Sequence, residues 1–237
     1  MLSNGRSIVR SRRRSIGQSM VEFLIVLPVL YLLIFGTIQM GLLYSAKSTL
    51  NYAAFEAARM GALRNADYHG IRKGLIRGMG PLFTHGDSEE AILAGFETAE
   101  AEVDDYMLIT RVNPVQADFV GAHSTVPPTN TSGRAILNDN LMYRSTEQVG
   151  GISIQDANLL KVRVEYCHRL VVPVISSMLT VLKKSTAGGQ AKLKGVDGEV
   201  LPEASRKSYK GDYSKLCADR AGNRGFVLSA EAIVRMQ

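Results

Sequence analysis

Three patterns of hydrophobic spacing follow one another along this chain. From Phe23 to Leu43 the sequence FLIVLPVLYLLIFGTIQMGLL carries no charge and has no polar face. Its length matches the roughly 20 residues a helix needs to cross about 30 Å of hydrocarbon. Beyond it, Leu43, Ala46, Leu50, Ala53, Ala57, Met60 and Arg64 recur in steps of three and four, and the first six form an apolar stripe on one helix face. The two patterns join without a break, which predicts one helix from Gln18 to about Arg64, roughly 70 Å long. Pro28 removes a backbone hydrogen bond inside the span, so a bend or loosening is expected there, which membrane helices tolerate.

The third pattern is alternation. Leu160, Val162, Val164 and Tyr166 alternate with Lys161, Arg163, Glu165 and Cys167, which predicts a strand over Leu159 to Val172 with one covered face. Phe226, Leu228, Ala230, Ala232, Val234 and Met236 repeat that logic from Phe226 to Met236, and the two strands are expected to pair antiparallel. A further strand fits Tyr106 to Val112, stopped by Pro114. Asp87 with Glu90 resembles a capping box for a helix through about Asp105, with Ile92, Leu93, Phe96 and Ala99 on its buried side. Its acids, Glu97, Glu100, Glu102, Asp104 and Asp105, read as a solvated face. Gly70, Gly74, Gly78, Gly80 and Pro81 weaken any helix between Asn65 and Gly86, a region read as a connection with one short helix from His69 to Arg77. Gly121 to Gln148 is polar and reads as a long surface loop. Pro173 to Leu182 is apolar enough for a short helix or a packed loop, and 183–224 is a Lys-, Gly- and Ser-rich exposed insertion.

Charge adds a direction to this outline. The 237 residues carry a formal +6, and Arg6, Arg10, Arg12, Arg13 and Arg14 supply all but one unit of it before residue 18 with no acid among them. Arginines on the N-terminal side of the span keep that end in the cytoplasm, so the rest lies outside it. A cleaved secretory signal would have a shorter apolar run and a small-x-small cut site, which Tyr44-Ser45-Ala46-Lys47 does not provide. A twin-arginine leader, suggested by Ser11-Arg12-Arg13-Arg14, would need the same cut. With its basic residues in the leader, no Trp and no reading motif, the chain is not expected to bind nucleic acid.

Glu22 sits at the edge of the span, where a carboxylate would cost about 2.5 to 3.5 kcal/mol if it reached the bilayer centre. The string Arg14-Ser15-Ile16-Gly17-Gln18-Ser19-Met20-Val21-Glu22-Phe23 resembles a class III prepilin processing site. With the stretch from Tyr44 to Gly61, it is similar to the TadE-like pseudopilins of the tight-adherence (Flp-type) pilus system. The resemblance implies that a prepilin peptidase cuts after Gly17, that Gln18 becomes the N-terminus, and that Glu22 serves maturation or subunit registration, followed by the family's aromatic at Phe23. A lone carboxylate in a low-dielectric setting seeks a partner, and the α-amine of a neighbouring subunit can neutralise it. Alternatively, Glu22 simply marks the headgroup layer.

The fold expected is α+β, a long N-terminal transmembrane helix continuing into a pseudopilin-like domain with a small antiparallel sheet. The divisions are a leader at 1–17, a span at 18–44, a helical stem at 45–64 and an extracytoplasmic domain at 65–237 carrying the 183–224 insertion. The stripe of Leu43, Ala46, Leu50, Ala53, Ala57 and Met60 is expected to pack on the protein's own sheet and on other subunits in different parts. Cys167 on the polar face of its strand and Cys217 in the insertion fit either a disulfide or two unpaired thiols. A bond would close a loop of about 50 residues and contribute up to roughly 4 kcal/mol in the chain-entropy model, in a compartment that permits it. His69, His85, His123 and His168 lack ligand spacing, so no metal and no cofactor are expected. Nor is there a defensible catalytic motif, which points away from an enzyme. The partners implied are other pilin-like subunits, the prepilin peptidase, the inner-membrane assembly platform and membrane lipid. The resemblance implies a single-pass protein of the bacterial inner membrane, with entry into an extracellular pilus left open. The competing reading is a membrane-anchored extracytoplasmic binding protein that never enters a filament.

Overall fold

The computed structural model describes residues 15–120, 124–125, 135–172, 199–200, 217 and 225–237. The reading of Pro173 to Leu182, the leader up to residue 14, and the 183–224 insertion apart from 199–200 and 217 lie outside them. Helix α1, Ser15–Ala62, runs unbroken through Pro28. The chain then reverses at Asn65 and Ala66, both left-handed at φ 54° and 60°, a conformation that costs a side-chain-bearing residue about 1–2 kcal/mol. Arg111 secures this corner: it is buried, donates to the Ala66 carbonyl at 3.3 Å and to Gln116 Oε1 at 3.3 Å, and lies 4.8 Å from the centre of the Phe119 ring.

Helix α2, Tyr68–Phe83, corrects the reading of that stretch as a connection with one short helix. Its glycines are contact points with α1. A Cβ on Gly74 would fall 2.5 Å from the Glu56 carbonyl oxygen, and one on Gly78 would fall 2.4 Å from the Ala53 Cα. Small residues on both helices therefore let the backbones touch, and the contact outweighs glycine's helix cost of about 1 kcal/mol per residue. Pro81 falls in the last turn, near the C-terminal end. Ile71, Leu75 and Met79 complete the buried face.

Helix α3, Glu89–Tyr106, is capped by Ser88, whose hydroxyl accepts from the Ala91 N–H at 3.2 Å. Its buried residues are Gly95, Ala99 and Val103, whereas Ile92, Leu93 and Phe96 are exposed, against expectation. The reason is again close approach: a Cβ on Gly95 would fall 2.9 Å from the Thr84 Cα, so the small residues face inward. The acidic side is only partly solvated. Arg72 of α2 holds Asp104 through two bonds of 2.8 Å and Glu100 through one of 2.7 Å. The hydrogen bond to Asp104 raises the guanidinium pKa despite opposing desolvation. Glu102 accepts from the Tyr166 hydroxyl at 3.2 Å.

Strand β1, Met107–Asn113, follows α3 directly. Helix α4, Gln116–Val120, and the two-residue strands β2, Ser124–Thr125, and β3, Ala135–Ile136, come next. They lie partly within the stretch read as a surface loop, and buried Ile136 and Leu141 tie it to the body. After the single-turn α5, Ile154–Ala157, come β4, Leu159–Arg169, the short β5, Glu199–Val200, and β6, Gly225–Arg235. Strand β4 ends three residues before the expected Val172. The sheet is antiparallel in the order β5-β1-β4-β6, with β4 and β6 paired from Leu159 with Arg235 to Arg169 with Gly225. Leu160, Val162, Val164 and Tyr166 are buried along with Leu228, Ala230 and Ala232, so the alternation placed the covered face correctly.

This face, α2 and the second half of α1 enclose one core. The Gln237 N–H donates to the Ala62 carbonyl at 3.3 Å and Lys47 Nζ to the Ser229 carbonyl, so β6 is fastened to α1 at two levels. Leucine at Gly78 must separate α1 from α2, and Gly78→Leu should cost about 1–3 kcal/mol, read as a lower thermal midpoint in far-UV circular dichroism. Gly41→Ala, whose added methyl meets nothing within 4 Å and which removes glycine's helix cost, should not lower the midpoint. Equal effects from the two changes would contradict the close-approach account.

Candidate functional site

Helix α1 meets two environments along its length. From Met20 to Ile38 almost every residue is exposed in the isolated chain, as a surface facing lipid requires. Its mean hydropathy reaches 2.4 over an 18-residue window that is 0% buried. A soluble core helix of this composition would be covered. Among the described residues this is the one helix long and apolar enough to cross a membrane, and its place near the N-terminus fits a single-pass membrane anchor.

The change occurs at Gln39. Its side chain is completely buried, and its Oε1 accepts from the Val172 N–H at 2.9 Å, so the chain leaving β4 meets α1 while α1 is still within its apolar run. The signal for this contact was available, since Gln39 is the single amide between Phe23 and Leu43. Leu43, Ala46, Leu50, Ala53 and Ala57 are then buried by the protein's own domain, and Met60 is half-buried. Of the stripe expected to divide its contacts between the sheet and neighbouring subunits, these five buried positions pack against the chain itself. What the stem leaves uncovered is its other side, with Tyr44 78%, Tyr52 56% and Phe55 49% exposed. Periodicity could not tell these faces apart by destination, because both carry large apolar side chains.

Gly17 and Gln18 lie in the first turn of α1 as it is described, and Glu22 and Phe23 are exposed one turn further on. A cut after Gly17 would leave Glu22 four residues from the new α-amine. Residues at that separation share a helix face, and the helix N-terminus favours a negative side chain.

The far face of the sheet holds a second cluster. Glu231 accepts from Arg163 Nε at 2.6 Å and pairs with Lys161 at 3.1 Å. These two cations, Arg163 foremost, hold its carboxyl below the usual range. Glu165 beside them is pushed the other way by burial, only partly offset by Arg163. Cys167 is buried and bonded to Cys217, with an S–S distance of 1.96 Å, so the outward thiol position is covered by Cys217, Tyr106, Leu108 and Val227. Among the described residues no cluster of His, Cys, Asp and Glu could hold a metal ion.

A family model described as TadE-like protein matches residues 17–59. The match takes in the proposed cleavage point, the span and most of the stem, and none of the sheet. It associates this segment with tight-adherence pilus proteins. No curated protein and no solved structure gives a significant match to the chain.

Glu165 supplies a pH test. Its raised pKa means that the stability it contributes is full below the usual carboxylate range and declines as pH rises through the folded-state value. Glu165→Gln should therefore raise the thermal midpoint at neutral pH, and the gain should vanish below about pH 4, where both side chains are neutral. A gain of the same size at both pH values would refute this.

Proposed function

We propose that the chain is a minor pilin or pseudopilin of a tight-adherence type pilus machine, acting in assembly or priming and carrying no enzymatic activity. It is inserted with its N-terminus in the cytoplasm, cleaved after Gly17 by the prepilin peptidase, and left with its sheet domain outside. The carrying observation is the family match over residues 17–59 on one continuous helix, Ser15–Ala62. Its first half is bare on all sides and its second half is clamped by the domain.

The chemistry follows from that arrangement. Cleavage removes the five leader arginines and creates an amine near Glu22, so a carboxylate that would be costly in lipid gains a cationic partner. When the amine belongs to a neighbouring subunit, the pair also sets axial register. Because Leu43, Ala46, Leu50, Ala53 and Ala57 are occupied, packing on other pilin-like subunits or the assembly platform falls to the span and to the Tyr44, Tyr52 and Phe55 side of the stem.

Intact-mass measurement in cells with and without the prepilin peptidase tests the reading: the mature chain should begin at Gln18 only when the peptidase is present. Met1 retained in both strains would favour an anchored binding protein that never enters a filament. Gly17→Phe should block the cut, and normal processing of that variant would refute the site. Glu22→Ala should leave membrane insertion intact and lower co-purification with partner pilins about tenfold, as loss of one charge-assisted contact implies. Undiminished recovery would contradict the registration role.

A further inference from the structure

The inward stripe of α3 runs on past the edge of the domain. Seven residues return a helix to within about 20° of the same face, so Ile92 shares the face of buried Ala99, and Phe96 that of buried Val103. Yet Ile92 is 41% exposed, and Leu93 beside it 57%. Phe96 still has a neighbour, since its ring lies against Gly80 of α2. Ile92 and Leu93, a turn nearer the start of α3, stand on a part of the helix that the domain leaves uncovered.

Contacts between the helices give the height of this overhang. Helix α2 runs antiparallel to α1, because Gly74 lies on Glu56 and Gly78 on Ala53. The six residues from Gly78 to Thr84 bring the chain roughly 9 Å back toward the membrane, level with Lys47. Gly95 packs on Thr84, and α3 runs outward again, since Arg72 near the start of α2 bonds Asp104 near the end of α3. Ile92 and Leu93 therefore lie about 3–5 Å closer to the membrane than Lys47, level with Tyr44 and Ser45. The uncharged run of α1 ends at Leu43. With α1 upright in the bilayer, the pair stands at the hydrocarbon boundary, in a headgroup layer roughly 5–8 Å deep. Val171 reaches the same zone from the sheet: the N–H of the next residue bonds Gln39, inside the uncharged run, and Val171 is 61% exposed.

Two segments far apart in sequence thus expose apolar side chains at one height, and that height is where the anchor leaves hydrocarbon. We propose that Ile92, Leu93 and Val171 are seated in the extracytoplasmic leaflet, so that the domain rests on the bilayer instead of standing clear of it on its stem. Burial of apolar surface drives them in. Asp87, Glu89 and Glu90 are exposed at the head of α3, and because carboxylates are costly in hydrocarbon they hold this edge within the polar layer. Any step that withdraws α1 from the membrane has to lift this edge as well.

The proposal rests on the anchored reading of α1, and the two fail separately. Release of the protein from membranes by alkaline carbonate would defeat the anchor, whereas retention with a dry domain edge defeats only the seat. The test places a thiol-reactive fluorophore on Leu93→Cys, Val171→Cys or Ile233→Cys in the full chain, with the Cys167–Cys217 bond intact, reconstituted in phosphatidylcholine vesicles. All three positions are exposed, so the changes leave the core alone. Lipid carrying a doxyl group near the top of its acyl chain should quench the label at 93 and at 171 and leave the label at 233, on the distal half of β6, unquenched. Aqueous iodide should show the reverse order. Loss of doxyl quenching at either 93 or 171 would overturn the proposal, with access to iodide there showing an edge in water and shielding from both quenchers showing a protein partner. Equal doxyl quenching at 233 would overturn the assigned height.

Discussion

One helix in this protein must satisfy two solvents in succession. Over its first half α1 has to be apolar on every side, and over its second half on one side only, with no interruption of its backbone ladder between. The rest of the architecture is arranged around the second half. Helix α2 comes close enough for Gly74 and Gly78 to lie on the backbone of Glu56 and Ala53, and β4 and β6 cover the neighbouring side through the shared core. Because the domain is fastened to α1 along Lys47 to Ala62, displacement of the anchor is transmitted directly to the sheet. A pilin-like role for the chain would use that rigidity.

The elements that were legible in the sequence are those in which one physical demand dominates. Lipid demands an uncharged run, and Phe23 to Leu43 has one. A half-covered sheet demands alternation, and Leu160 to Tyr166 and Leu228 to Ala232 show it with the correct side inward. The misreadings share a cause. In α2 and α3 the points of closest approach are glycines, chosen for how near two backbones can come, while in α3 the larger Ile92 and Leu93 remain outside. A hydrophobic scale scores size and apolarity, so it ranks such a helix wrongly. The glycines of α2, taken as breaks, are its contacts.

The site was legible to the same uneven degree. Gly17, Glu22 and Phe23 stand in a linear motif, which needs no tertiary structure to recognise, and the family match begins at Gly17. The apolar stripe of the stem is visible as a period, but its occupant is not, since lipid, a neighbouring subunit and the protein's own sheet ask for the same residues. Ion pairs and polar side-chain contacts between helices and corners were beyond reach. Arg72 with Asp104 and Arg111 with the Ala66 carbonyl join positions 32 and 45 residues apart. Cys167 offered a partial exception, because a thiol on a polar strand face called for a cover, and Cys217 provides it.

The division of α1 is tested most directly by cysteine scanning along the helix in intact membranes, in a Cys167→Ser, Cys217→Ser background that retains native circular dichroism, with a water-soluble thiol reagent. Positions 24–36 should resist labelling on all sides. From 43 to 57 labelling should alternate with the helical period, strong at Tyr44, Tyr52 and Phe55 and absent at Ala46, Leu50, Ala53 and Ala57. Uniform labelling of the stem, or modification within 24–36, would contradict a helix that passes from lipid into the core of its own domain.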